Sequence, residues 1–215
     1  MKFVNLYFVL ISMVFFTGCG QGNIESEKDL YAWVNNEDNG LVKTKYINGI
    51  KLTAKYLPSA YLAYKEWVAT EKENSHYQEL LKIYKNSRTF LLTIGPDDRK
   101  VEGADVMFYD VLNEKDYKQR VQDLNFDIGK YISLNIKDQP MAPKLHTLEN
   151  TYGLGKHRNI YLVFADDGAG GSLLTAEKLD LKFSDEIFQT GISHFVFNKQ
   201  DLDGLPELKF LAVNE

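Results

Sequence analysis

A single cysteine in 215 residues means that no disulfide can form within the chain, so the fold must be held by its core. Proline is scarce at five residues and glycine numbers 15, which excludes collagen-like and low-complexity chains. No block of lysine or arginine is present, and the formal net charge is -5. Nucleic-acid binding draws its affinity from clustered cations that displace counterions, so no nucleic-acid partner is expected. A mildly acidic exterior is equally ill-suited to an anionic membrane surface. What the chain does have is 44% hydrophobic residues and 13% aromatics, enough for a packed core.

There is one long apolar run. It extends from Phe3 to Phe16 behind Lys2 and is broken only by Asn5 and Ser12. A spanning helix needs about 20 apolar residues, so this shorter run fits the core of a secretory signal. It ends in Phe16-Thr17-Gly18-Cys19, with small residues directly before the lone cysteine. Here the sequence resembles the lipobox of bacterial lipoproteins. Thr17, Gly18 and Cys19 match that pattern, and Phe16 stands where an aliphatic residue is usual. The resemblance implies that residues 1–18 are removed as a signal peptide and that the Cys19 sulfur carries a diacylglyceryl group, usually joined by acylation of the new N-terminus. It also implies outer-membrane sorting with the domain facing the periplasm, because Gly20, not aspartate, follows the cysteine. Each buried methylene contributes about 0.8 kcal/mol, and two or three acyl chains hold a domain where one would not. The expected membrane contact is therefore through lipid alone.

Residues 19–29 are polar apart from Ile24 and read as a flexible tether. Beyond it, Leu30 to Val34, Leu41 to Ile47 and Ile50 to Leu57 read as strands of a meander, and Asn48-Gly49 makes a tight hairpin turn. Tyr61, Tyr64 and Val68, then Tyr77, Leu80, Leu81 and Tyr84, recur at helical spacing in one helix or two. The Ser75 and Gln78 pair has capping-box spacing. Arg88 to Ile94 reads as a buried strand and Val106 to Val111 as another. Asn113 caps a helix with Tyr117, Val121 and Leu124 on one face. Ile132, Leu134 and Ile136 alternate as in a half-buried strand. Two prolines within 138–143 mark an internal boundary. After it, strands are expected at 144–152, 160–165, 179–183, 192–197 and 208–213. The expected fold is α+β: an N-terminal β-meander with one or two helices, and a C-terminal antiparallel sheet forming a small β-sandwich. Regions 30–137 and 138–215 could share one domain.

Signals for chemistry are sparse. Asp166-Asp167-Gly168-Ala169-Gly170-Gly171-Ser172 is glycine-rich but lacks the lysine of a phosphate loop, and the simpler reading is a connector. Asp201-Leu202-Asp203-Gly204 resembles part of a calcium loop, yet Lys199 and Phe210 would fall where carboxylate ligands belong. A turn bearing two solvated acids is the simpler account, with an irregular calcium site using Asp201 and Asp203 as the alternative. His76, His146, His157 and His194 lack zinc-site spacing, although His146 and His194 lie on strands that could meet. Asp185 and Glu186 sit side by side and point to opposite faces, unlike a glycosidase pair, so they read as solvated turn acids. Tyr56, Tyr61, Tyr64 and Trp67 supply either core or a contact platform. No catalytic set, metal or cofactor is expected. The reading is a lipid-anchored envelope protein acting as a binding or assembly module, with an envelope protein as the candidate partner. The alternative is an envelope hydrolase whose residues converge only in the fold.

Overall fold

The structure, a computed structural model, describes residues 23–70, 77–99, 105–151, 154–166 and 172–211. It is α+β, built on two antiparallel sheets with helices at one end and along one side.

The first sheet has the order β1-β2-β3-β7-β6 and the second β5-β4-β8-β9. β1 (Val42–Ile47) and β2 (Ile50–Leu57) form the expected hairpin. Its turn residues Asn48 and Gly49 have φ of 51° and 80°, the left-handed geometry that matches the twist of the strands. β2 then pairs with β3 (Ser87–Pro96), and β3 with β7 (Arg158–Ala165), which β6 (Leu145–Leu148) flanks. In the second sheet, β4 (Ile132–Ile136) pairs with β5 (Gln139–Met141) and β8 (Lys178–Asp185), and β8 with β9 (Gly191–Asn198).

Alternate residues of both sheets point into one shared core. Ile50, Leu52, Ala54 and Tyr56 do so from β2, and Leu179, Leu181 and Phe183 from β8. Rings interlock within and between the sheets: Phe90 lies 5.1 Å from Phe197 of the other sheet and 5.5 Å from Tyr56, its neighbour on β2, centroid to centroid. The sandwich thus takes strands from both halves of the chain, not from the C-terminal half alone.

Several expectations need correction. Leu30 to Val34 is part of α1 (Glu27–Asn35), not a strand. Leu30 and Val34, four apart, are its buried pair, and the Ser26 side chain caps it by accepting from Asp29 N. The folded body therefore begins within the expected tether: Ile24 is buried and forms a parallel bridge with Leu208. The meander reduces to a hairpin, because its expected first strand is α1, while α2 (Ser59–Ala69) and α3 (Tyr77–Tyr84) are the helices expected after it. Ser75, the proposed cap of α3, lies outside the described residues. Residues 106–108 make a 3-10 turn capped by Asp105, and Lys209–Leu211 another, where strands were expected. The proline-marked stretch at 138–143 is a second tight hairpin, with Lys137 and Asp138 at φ of 48° and 64°. Pro140 is tolerated there because β5 is an edge strand.

α4 (Glu114–Gln122) starts at Asn113, whose side chain accepts from Lys115 N and Asp116 N as expected. Two short helices complete the chain, α5 (Ser172–Thr175) and α6 (Lys199–Leu202). A second apolar cluster joins α1, α2 and the 205–211 segment through Leu30, Val34, Tyr64, Leu208 and Leu211.

Candidate functional site

The end of the sandwich between β2, β3, α2 and the 202–211 segment is open. Arg88 at the start of β3 has the same parity as Phe90, Leu92 and Ile94, so its side chain enters the sandwich instead of facing water. Tyr56 enters from β2 by the same rule. Arg88 is 7% exposed; its Nη1 donates to the Tyr56 hydroxyl at 2.7 Å, and its Nη2 to Asp203 Oδ1 at 3.1 Å and to Leu174 O at 3.5 Å. The guanidinium also lies over the Tyr56 ring. Asp203 in turn accepts from Lys199.

Arg88, Tyr56 and Asp203 form one wall of a cleft of about 620 Å³. Ser59 and Ala60 of α2, Tyr77 and Gln78 of α3, and Glu207 form the others, with Leu81, Leu202 and Leu211 supplying apolar surface. Burial raises the Tyr56 hydroxyl above its usual value, with Arg88 opposing. Burial also pushes Tyr77 up to about 12, so both remain neutral hydrogen-bonding groups at physiological pH. Polar side chains and apolar walls together suit a small polar ligand or a partner's side chain.

The expected site residues are dispersed. Cys19, Asp167 and His76 lie outside the described residues. Asp166 accepts from Leu173 N at 3.3 Å, at the start of α5. Asp201 accepts from Asn198 Nδ2 at 3.1 Å and packs against Gly40. Of the two acids in that turn, Asp203 lines the cleft, bound to two cations of the chain itself. Among the described residues no group of three or more His, Cys, Asp or Glu could hold a metal ion. Tyr64 is 5% exposed and belongs to the second apolar cluster, with Tyr61 and Trp67 packed partly buried against it. Burial, with Glu27 beside it, pushes Tyr64 up to about 12. Burial and the neighbouring Tyr31 do the same for Tyr61.

Two further readings are corrected. His146 is on β6 and His194 on β9, in different sheets, so they do not meet; His194 Nδ1 instead lies 2.7 Å from Asp180. Asp185 is 3% exposed and is not a solvated turn acid. Its carboxylate accepts from Ile187 N, Phe188 N, Thr190 N and the Thr190 hydroxyl, and so organises the β8–β9 connection.

Arg88 was not singled out as a site residue in the sequence, whereas Tyr56 was, as part of an aromatic core or contact platform. The available signal was an arginine in register with three apolar residues of a buried strand, a pattern that places a charge inside.

No protein-family model and no curated protein matches this chain. Among solved structures, a protein of unknown function from Burkholderia pseudomallei is similar at 13% identity and a TM-score of 0.38, covering 86% of this chain and 89% of its own. A likeness that weak carries no argument about fold or role. The class that fold and site define is an α+β sandwich with a polar cleft at one pole.

Proposed function

We propose that this chain is a lipid-anchored binding module of a bacterial envelope, holding its ligand or partner in the cleft beside Arg88. The lipid is assigned to Cys19 on the lipobox-like Phe16-Thr17-Gly18-Cys19, and Gly20 favours an outer-membrane, periplasm-facing location. The observation that carries the reading is where the N-terminal segment joins the domain. Ile24 N donates to Glu207 O at 3.4 Å, and Lys209 N donates to Ile24 O at 3.1 Å. The segment leading from the anchor is thereby stitched to a wall of the cleft. Four residues, and so five residue-to-residue steps, separate Cys19 from Ile24, and an extended chain spans at most about 3.6 Å per step. A lipid on Cys19 would hold Ile24, which is bonded to the segment lining the cleft, within about 18 Å of the attachment point, so the binding site would sit close over the membrane surface.

Labelled palmitate tests the anchor. Cells making the wild type should incorporate the label into this protein and retain it in the membrane fraction, whereas Cys19→Ser should give neither. A wild type that takes up no label and stays soluble would end the proposal.

A further inference from the structure

Three features at the cleft favour an anion beside Arg88, although Asp203 and Glu207 also line it. The first is the buried guanidinium. Arg88 has five N–H donors, and its contacts to Tyr56, Asp203 and Leu174 leave one Nη1 hydrogen without an acceptor among the described residues, while its unpartnered Nε is sealed from solvent and plays no part. The second is charge balance. Arg88 and Lys199 share the one carboxylate of Asp203, and the surplus positive charge of this cluster is opposed in the cleft lining only by the exposed Glu207. The third is the N-terminus of α2. Pro58 precedes it and supplies no side-chain cap, so the first N–H groups of an 11-residue helix open beside Ser59 and Ala60 in the cleft wall. Uncapped N–H groups together with the helix dipole favour an anion there.

Taking the cleft as the binding site of the preceding section, we propose that its ligand carries an oxyanion that docks between Arg88 and the N-terminus of α2. Other lining groups tune the rest of the ligand. Glu207 and the Tyr77 hydroxyl accept hydrogen bonds, so hydroxyl or ammonium donors on the ligand would face them. Asp203 competes with the incoming oxyanion for Arg88. That competition gives the proposal a signature which a purely structural ion pair lacks. Removing the cation should weaken anion binding, and neutralising the acid should strengthen it.

The test uses the full-length protein in detergent, titrated calorimetrically with inorganic phosphate and with glycerol 3-phosphate, and by flotation with phosphatidylglycerol against phosphatidylcholine vesicles. Saturable binding in the millimolar range or tighter is expected for at least one phosphate-bearing probe. Arg88→Gln should weaken it by about ten-fold or more, and Asp203→Asn should tighten it several-fold. Binding of the soluble phosphates alone would identify a free ligand. Preference for phosphatidylglycerol vesicles, lost in Arg88→Gln, would identify a lipid headgroup. The proposal is overturned if no probe saturates by about 10 mM, or if both variants shift affinity in the same direction. Should Arg88→Gln fail to fold, the sign of the Asp203→Asn effect still decides. Palmitate labelling of Cys19 is read independently, so loss of the oxyanion site would leave the anchor standing.

Discussion

Of the three arginines buried among the described residues, Arg88 and Arg120 lie at opposite poles of the sandwich, and their partners differ in kind. Arg120 on α4 is 8% exposed, and its Nη1 donates to the carbonyls of Val106, Met107 and Tyr109 while Nη2 reaches Ile187 O. Its guanidinium also covers the Phe188 ring at 4.7 Å. Arg88 instead meets a phenol, a carboxylate and one carbonyl, at the wall of a cleft. The electrostatics follow. Burial draws Arg120 below its ordinary value, with Asp110, Asp185 and Asp116 opposing. At Arg88 burial acts in the same sense, but Tyr56 and Asp203 outweigh it and the value rises. Each Nε lacks a partner, so an unmatched donor by itself does not mark a site. The difference lies in what surrounds it: Arg120 ties backbone segments together, and Arg88 borders open space.

This contrast is broken most directly at Arg120. Arg120→Met would leave four carbonyls short of a donor and remove the cover from Phe188, at a cost of about 3 kcal/mol. Arg88→Met should cost roughly half of that, because the cleft lets water reach the groups left behind and Asp203 keeps Lys199. Urea denaturation of both variants measures the gap. Equal losses would mean that the cleft is no more open to solvent than the opposite pole.

Asp185 tests whether the closed pole depends on a single buried acid. Asp185→Ala removes the acceptor of three backbone N–H groups and the Thr190 hydroxyl between β8 and β9, for about 2 kcal/mol. Hydrogen exchange at Ile187, Phe188 and Thr190 should accelerate with it. Unchanged protection there would show that the loop is held by packing alone. Near the other pole, Gly40 has φ of 75°, and a Cβ added to it would lie 2.5 Å from Asp201 Cγ. Gly40→Ala should cost about 1–2 kcal/mol in the melting transition, part from left-handed backbone and part from displacing Asp201. A neutral result would show that the Asp201 side chain turns away freely.

The elements that were legible in the sequence depend on local rules. Asn48-Gly49 sets its own turn, Asn113 caps its own helix, and Ile132, Leu134 and Ile136 alternate within one strand. Errors arose where neighbours decide. Leu30 to Val34 offers equally good strand composition, and the Ser26 cap together with packing on Leu208 and Tyr64 makes it a helix. Lys137-Asp138 lacks glycine, so the left-handed turn before Pro140 had no composition cue beyond an aspartate. The site was harder still. Asp185 and Arg88 obey the alternation of their strands, but that rule says only that a charge points inward. Whether it meets carbonyls or a cleft depends on segments far away in sequence, Ile187 to Thr190 in one case and α2 with Asp203 in the other.

The smallest expected effect probes the Arg88–Asp203 pair through pH. Burial alone would raise the Asp203 carboxyl, but Lys199 and Arg88 outweigh it and hold the value below the ordinary 3.8. A carboxylate depressed in the folded state stabilises fully above its unfolded value, and that contribution fades as pH falls through the lower, folded value. The Asp203 side chain is 41% exposed, so solvent screening limits the effect to under about 1 kcal/mol. Wild type and Asp203→Asn, followed by urea midpoint as pH is lowered from 6, should therefore converge below about pH 4. High salt should narrow the gap above that pH, since an exposed pair is screened. Curves that stay parallel across the whole range would mean that the carboxylate adds nothing to folding. Arg88 would then be held by Tyr56 and Leu174 alone, with even more of its charge left for whatever enters the cleft.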